Sequence, residues 1–179
     1  MPIHAAGIYD RNGSESVSEF VISSYIPTIG TLLGHPVPAL DPFKMLVVIQ
    51  PTGLHPLPHT KNELLKIKEH VHPECLIKYG TPEAPACIDN ILLDAPAASI
   101  VHLACHGQQN LNPLDSALIL DDGRLTVAQL MQLSLQNASL VFLSACETAM
   151  GDANLPDEVI HLAAALLFVG FRGAVGTMW

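Results

Sequence analysis

The chain has 179 residues, the length of one domain, since single domains run to about 100–200 residues. Hydrophobic residues make up 49% and charged ones 14%, which excludes a disordered tail or a solvated coiled coil, and the 5% aromatic content makes the expected core aliphatic. The net charge of −9 is uneven: residues 79–179 set ten acidic groups against Arg124 and Arg172 alone, which argues against nucleic acid and anionic membrane surfaces as partners.

Residues 1–43, with the proline-punctuated SSYIPTIGTLLGHPVPAL (23–40), follow no regular alternation and read as an N-terminal extension of a core spanning 44–179. The start MPIHAAGIYD lacks the basic and apolar stretches of a secretory signal. KMLVVIQ (44–50) is a short apolar run closed by Pro51, the pattern of a strand buried on both faces. TKNELLKIKEHV (60–71) has helical spacing, and Thr60 with Glu63 suggests a capping box at its start. CLIKYG (75–80) reads as a strand, 84–93 as a helix, and SIVHLAC (99–105) as a second strongly apolar strand. ALILDDGRLT (117–126) is a hairpin around Asp122-Gly123, after which Thr126 caps a helix reaching Leu133. SLVFLSAC (139–146) is a third buried strand, DEVIHLAAALLFVGF (157–171) a helix with acidic residues in its first turn, and GAVGTMW (173–179) the last strand. Apolar strands alternating with helices make an α/β domain with a mainly parallel sheet covered on both faces. The abrupt ends lead us to expect a domain that continues past Trp179.

No run reaches the ~18 apolar residues of a spanning helix; the longest candidate, 159–171, contains His161. The four cysteines, Cys75, Cys87, Cys105 and Cys146, form no CxxC pair and read as reduced thiols of a cytoplasmic protein.

In open parallel sheets, reactive residues gather at the carboxyl ends of the strands. SIVHLAC leads into His106-Gly107, and SLVFLSAC ends in Cys146. On neighbouring parallel strands the imidazole and thiol would form a general base and a nucleophile. Gly107, lacking Cβ, would let a backbone N–H approach a developing oxyanion. His102 shares a strand face with His106 but lies roughly 13 Å from it along an extended chain, which suits a core or supporting residue. The bland alternatives are an inert strand-end Cys146 and a loop histidine at 106. Zinc binding by His102, Cys105, His106 and Cys146 is the chemical rival, opposed by the alternation that turns Cys105 to the other strand face. No GxxxxGK[ST] or GxGxxG cradle is present, and Ser144 lacks a GxSxG elbow, so we expect neither a nucleotide nor any other cofactor.

HLACHG (102–107), NPLDSALILDDGRLTVAQL (112–130), LSACETAMGD (143–152) and LPDEVIHLAAALLFVGFRGAVGTMW (155–179) resemble the CHAT domain, a branch of the caspase-like cysteine peptidases that include separase. HAAG (4–7) and SSYIPT (23–28) resemble upstream segments of CHAT proteins, particularly those of mushroom-forming fungi. The resemblance implies a caspase-like three-layer sandwich with a mainly parallel central sheet, its last strand or strands lying beyond Trp179. It carries the catalytic dyad onto His106 and Cys146, 40 positions apart against the ~50 of caspases, and oxyanion-binding backbone groups onto Gly107 and Cys146. Of the caspase signature only Ala145-Cys146 matches, so a requirement for aspartate at the cleavage site does not transfer. The acidic second half suggests a basic P1 residue, with Asp115, Asp152 or Asp157 as contacts. The family implies a protein or peptide substrate, TPR repeats in the same parent chain, and activity conditional on a partner. The alternative is a catalytically silent scaffold, and a chain ending at Trp179 is expected to show little proteolysis by itself.

Overall fold

The strands and helices expected from the apolar runs are present, with shifted ends, in a computed structural model that describes residues 7–10, 13–22, 43–53, 56–108, 110, 112–133, 135, 137–144 and 162–176. The chain divides into two units, Met1–Leu33 and Gly34–Trp179. In the first, β1 (Gly7–Asp10) pairs antiparallel with β2 (Gly13–Ser16), and a 3-10 turn follows at Val17–Glu19.

The second unit is built on a five-stranded sheet. Its strands are β3 (Met45–Ile49), β4 (Leu76–Tyr79), β5 (Ile100–Ala104), β9 (Leu140–Leu143) and β10 (Gly173–Gly176). Their spatial order is β10-β9-β5-β3-β4 and every pairing is parallel. Within this sheet the first strand in sequence lies between the second and the third, so the direction of winding reverses between β3 and β5.

Among the described residues four helices cover it: α1 (Thr60–His70), α2 (Ile88–Asp94), α3 (Val127–Leu130) and α4 (Leu162–Val169). Leu64 and Ile67 of α1 pack on Val47, Ile49 and Ala104, one face of the sheet. Ile91 of α2, Val127 and Leu130 of α3, and Leu162, Leu166 and Val169 of α4 pack with Leu46, Val48, Val101, Leu103, Val141 and Leu143 on the other. The observed architecture is therefore an α/β fold with a mainly parallel central sheet, consistent with the caspase-like class.

A second, antiparallel sheet of three strands, β6 (His106–Gln108), β7 (Ala117–Ile119) and β8 (Arg124–Thr126), follows directly on β5. The β7-β8 hairpin forms around the expected turn, with the Leu120 N–H donating to the Gly123 carbonyl. β6 carries no apolar pattern, so the sequence pointed to two strands here rather than three.

Three local expectations need correction. Thr60 is not the N-cap of α1: that position is His59, with no side-chain cap, and the Thr60 hydroxyl instead donates to the Leu57 carbonyl at 2.6 Å. Glu63 is consequently released from the capping role and bonds elsewhere. α2 begins at Ile88 rather than 84, because Ala84 forms a β-bridge with Thr81 and the first turn is capped from a distance. Asp121 accepts from the Ala86 N–H at 2.8 Å and Asp122 from the Ile88 N–H at 3.0 Å. α3 stops at Leu130, three residues short of Leu133, although Thr126 and Gln129 do form a complete capping box. The outer parts of the expected strand 139–146 and helix 157–171 lie outside the described residues.

Candidate active site

The carboxyl ends of β3, β5 and β9 are stitched together one residue beyond the sheet. After β3, the Gln50 N–H donates to the Ala104 carbonyl of β5 at 3.0 Å. After β9, the Ser144 N–H donates to the Leu103 carbonyl of β5 at 2.9 Å. Parallel pairing in register, with Leu103 opposite both Val48 and Leu143, brings all three ends to one edge. The edge includes the winding reversal between β3 and β5, where open α/β sheets leave a crevice.

His106 stands at this edge. The chain bends at Cys105 and starts β6 at His106, which is half-buried and opposite Ile119 of β7. Its backbone N–H donates to the Gln50 Oε1 at 3.1 Å. Gly107 follows, half-buried and opposite Leu118. The bonds Leu120 N–H to Gly123 and Val127 N–H to Ser116 fix the alternation of the hairpin so that Leu118 turns its own N–H and C=O toward β8. Gly107 is thus in a non-hydrogen-bonded pair with Leu118, and its N–H faces away from β7.

Cys146, Asp152 and Asp157 lie outside the described residues. Cys146 stands two positions after Ser144 in sequence, and Ser144 itself follows β9, the strand paired with β5. Asp115 is exposed, at the end of a 3-10 turn (Pro113–Asp115), where its carboxylate accepts from the Asn112 side chain at 2.9 Å and its carbonyl from Arg124 at 3.1 Å.

The other sulfur and imidazole candidates separate cleanly. Cys105 is wholly buried in the core shared with α2–α4, and burial pushes its thiol up to about 12, leaving it a neutral apolar group at physiological pH. Cys87, at the N-cap of α2, has its thiol pushed up by desolvation and by Asp122, Asp121 and Asp89. Cys75, Cys87 and Cys105 are all free of disulfides.

His102 lies on the α1 face of β5. It is 6% exposed, stacks on Phe142 at 5.2 Å and 14°, and its Nε2 is 2.9 Å from the Glu63 carboxylate. Burial lowers its pKa and outweighs the opposing pull of Glu63. The imidazole is a supporting core residue, as the strand spacing implied. Cys105 and His102 occupy opposite sheet faces, and among the described residues no group of three His, Cys, Asp or Glu side chains is placed to hold a metal ion.

Two residues of this region escaped the sequence reading. Gln50 was visible only as the polar end of an apolar run before Pro51, and Glu63 only as half of an apparent capping box. Their partners, His106 and His102, are 56 and 39 positions away.

No helix among the described residues is long and apolar enough to cross a membrane. No curated protein matches the chain in sequence. The family model described as the CHAT domain, by contrast, matches residues 1–179, end to end, and with that match and this fold the chain belongs to the CHAT domain family.

Proposed function

We propose that this chain carries the catalytic dyad of a cysteine endopeptidase, with Cys146 as nucleophile and His106 as general acid and base. The observation that supports the reading is the parallel pairing of β5 and β9, whose carboxyl ends share one edge of the sheet; His106 follows β5, and Cys146 comes three positions after the end of β9 in sequence. The Cys146 thiolate would attack the scissile carbonyl, forming a C–S bond as the carbonyl electrons move onto oxygen. The backbone N–H groups of Gly107 and Cys146 would hold that oxyanion, and the outward-facing Gly107 amide suits the role. The imidazolium of His106 would then protonate the departing amine, and the thioester would be hydrolysed by water that His106 deprotonates. The thiol buried at Cys105 supports the choice of Cys146, because a neutral thiol at about 12 is no nucleophile at pH 7.

The substrate would be a protein or peptide, with Asp115, Asp152 and Asp157 as contacts for a basic P1 side chain, and partner binding, through TPR repeats elsewhere in the parent, as the regulator. The test is Cys146→Ala in the full-length protein. It should abolish both cleavage and labelling by a thiol-directed peptidyl probe. Labelling that survives the substitution refutes the assignment.

A catalytically silent scaffold is the second reading, and the exposed Phe142 and Val175, paired across β9 and β10 on the α1 face, are the observation that favours it. An intact protein that binds its partner unchanged as Cys146→Ala, and cleaves nothing with Cys146 present, would establish it.

A further inference from the structure

Gln50 is a buried polar side chain to which the dyad chemistry gives no part. It is 6% exposed, and its main chain is fully engaged, the N–H with Ala104 and the carbonyl accepting from Leu57 at 2.7 Å. Its side chain is oriented unambiguously, because only the carboxamide oxygen can accept from the His106 N–H.

The position of that bond matters. β5 leaves the parallel ladder at Ala104, opposite Ile49, and β6 enters a different, antiparallel sheet at His106. One residue, Cys105, makes the bend, and its side chain is locked in the core. The direction of the Cα–Cβ bond at 106 depends on how the chain exits that bend. Gln50 reaches across from β3 and, with the pairing of His106 to Ile119 of β7, holds the main chain at that residue.

We propose that Gln50 is a positioning residue for the His106 imidazole, acting through the His106 backbone amide. The catalytic consequence rests on the peptidase reading; the geometric role does not. A misplacement of about 1 Å in a catalytic group costs about 100-fold in rate, so loss of the acceptor has a measurable effect.

The experiment uses the full-length protein with Gln50→Met, which keeps the length and removes the acceptor, and Gln50→Glu, which keeps the acceptor and adds charge. Two quantities are read: hydrogen exchange of the His106 amide, and the pH profile of Cys146 labelling by a thiol-directed peptidyl probe. In Q50M the amide should exchange about twofold to tenfold faster and labelling should slow about tenfold to 100-fold. In Q50E the amide stays protected, the rate is largely retained, and the profile moves to higher pH because a nearby carboxylate favours a protonated imidazole. Unchanged exchange in Q50M, or equal rate losses in both variants with no profile shift, overturns the proposal. If Q50M does not fold, Q50E decides, since loss of amide protection there overturns it equally. If wild-type protein is not labelled at Cys146, the peptidase reading fails alone and the amide exchange still decides the role of Gln50.

Discussion

Gly80→Ala should be among the most destabilising single substitutions in the sheet. Gly80 follows β4 with φ of +86°, a conformation that costs a residue with Cβ about 1–2 kcal/mol. A Cβ there would lie 1.7 Å from the Ile49 carbonyl oxygen and 2.7 Å from its carbonyl carbon, so the backbone of β3 or β4 must move. Gly53 supplies the control. Its φ is +105°, yet the nearest atom to an added Cβ is the Asp121 Oδ1 at 3.9 Å. Gly53→Ala therefore carries the conformational cost without the clash, offset by about 0.4–1 kcal/mol from the stiffer unfolded chain, for a net loss near 1 kcal/mol. Gly80→Ala should lose about 3–5 kcal/mol, in the range that forced backbone displacement produces. For a domain of this size that is a fall in Tm of roughly 6–20 °C. Urea denaturation followed by circular dichroism reads both variants. Because Ile49 immediately precedes Gln50, the displaced strand should also slow Cys146 labelling. A Gly80→Ala protein within 1 kcal/mol of Gly53→Ala would show that the close approach to Ile49 is wrong.

Three more outcomes follow from particular contacts. The folded state holds the His102 pKa below its usual value, so the unfolded chain binds the proton more readily; stability is complete above about pH 6.5 and drains as pH falls from there toward the folded-state pKa. His102→Asn should flatten the urea midpoint between about pH 6.5 and 5, and a slope as steep as wild type contradicts the assignment. Thr126→Ala removes the capping box of α3 and should cost about 1 kcal/mol, read as a lower urea midpoint at unchanged slope; an unchanged midpoint would mean the cap contributes nothing. Cys105 should resist iodoacetamide in native protein at pH 7.5 and react once urea unfolds it, as peptide mass mapping will show; native alkylation at the unfolded rate would contradict its burial.

Apolar runs made the parallel sheet legible, because strands buried on both faces have no polar alternation to obscure them: Val47, Val48, Val101, Leu103, Val141 and Leu143 all lie where the runs place them. Adjacency of β5 and β9 was the condition set for bringing the residues after the two strands to one edge, and the parallel pairing of the strands meets it. What failed was local chemistry with a distant partner. T-x-x-E at Thr60 is indistinguishable in sequence from a true capping box such as T-x-x-Q at Thr126, yet only the second forms. Glu63 instead meets His102 from the helix packed on that sheet face, a contact that no local pattern encodes. The three residues of β6 have no period at all; their strand exists because β7 offers an open edge.

The topology also accounts for the unequal covering of the sheet. Parallel crossovers are right-handed, so the face a helix takes depends on the direction in which the chain moves to its next strand. From β3 to β4 the chain moves one way and α1 takes one face; from β4 to β5, and on through β9 to β10, it moves the other way and α2, α3 and α4 take the opposite face. The reversal falls between β3 and β5, the two strands whose ends bring Gln50 and His106 together. Among the described helices α1 is alone on its face, which leaves Phe142 at 37% and Val175 at 45% exposure in register on β9 and β10. The uncovered strip is thus a consequence of the same reversal. The buried side chain that accepts from the His106 amide, Gln50, comes from the end of β3, on one side of that reversal, and the histidine follows β5, on the other.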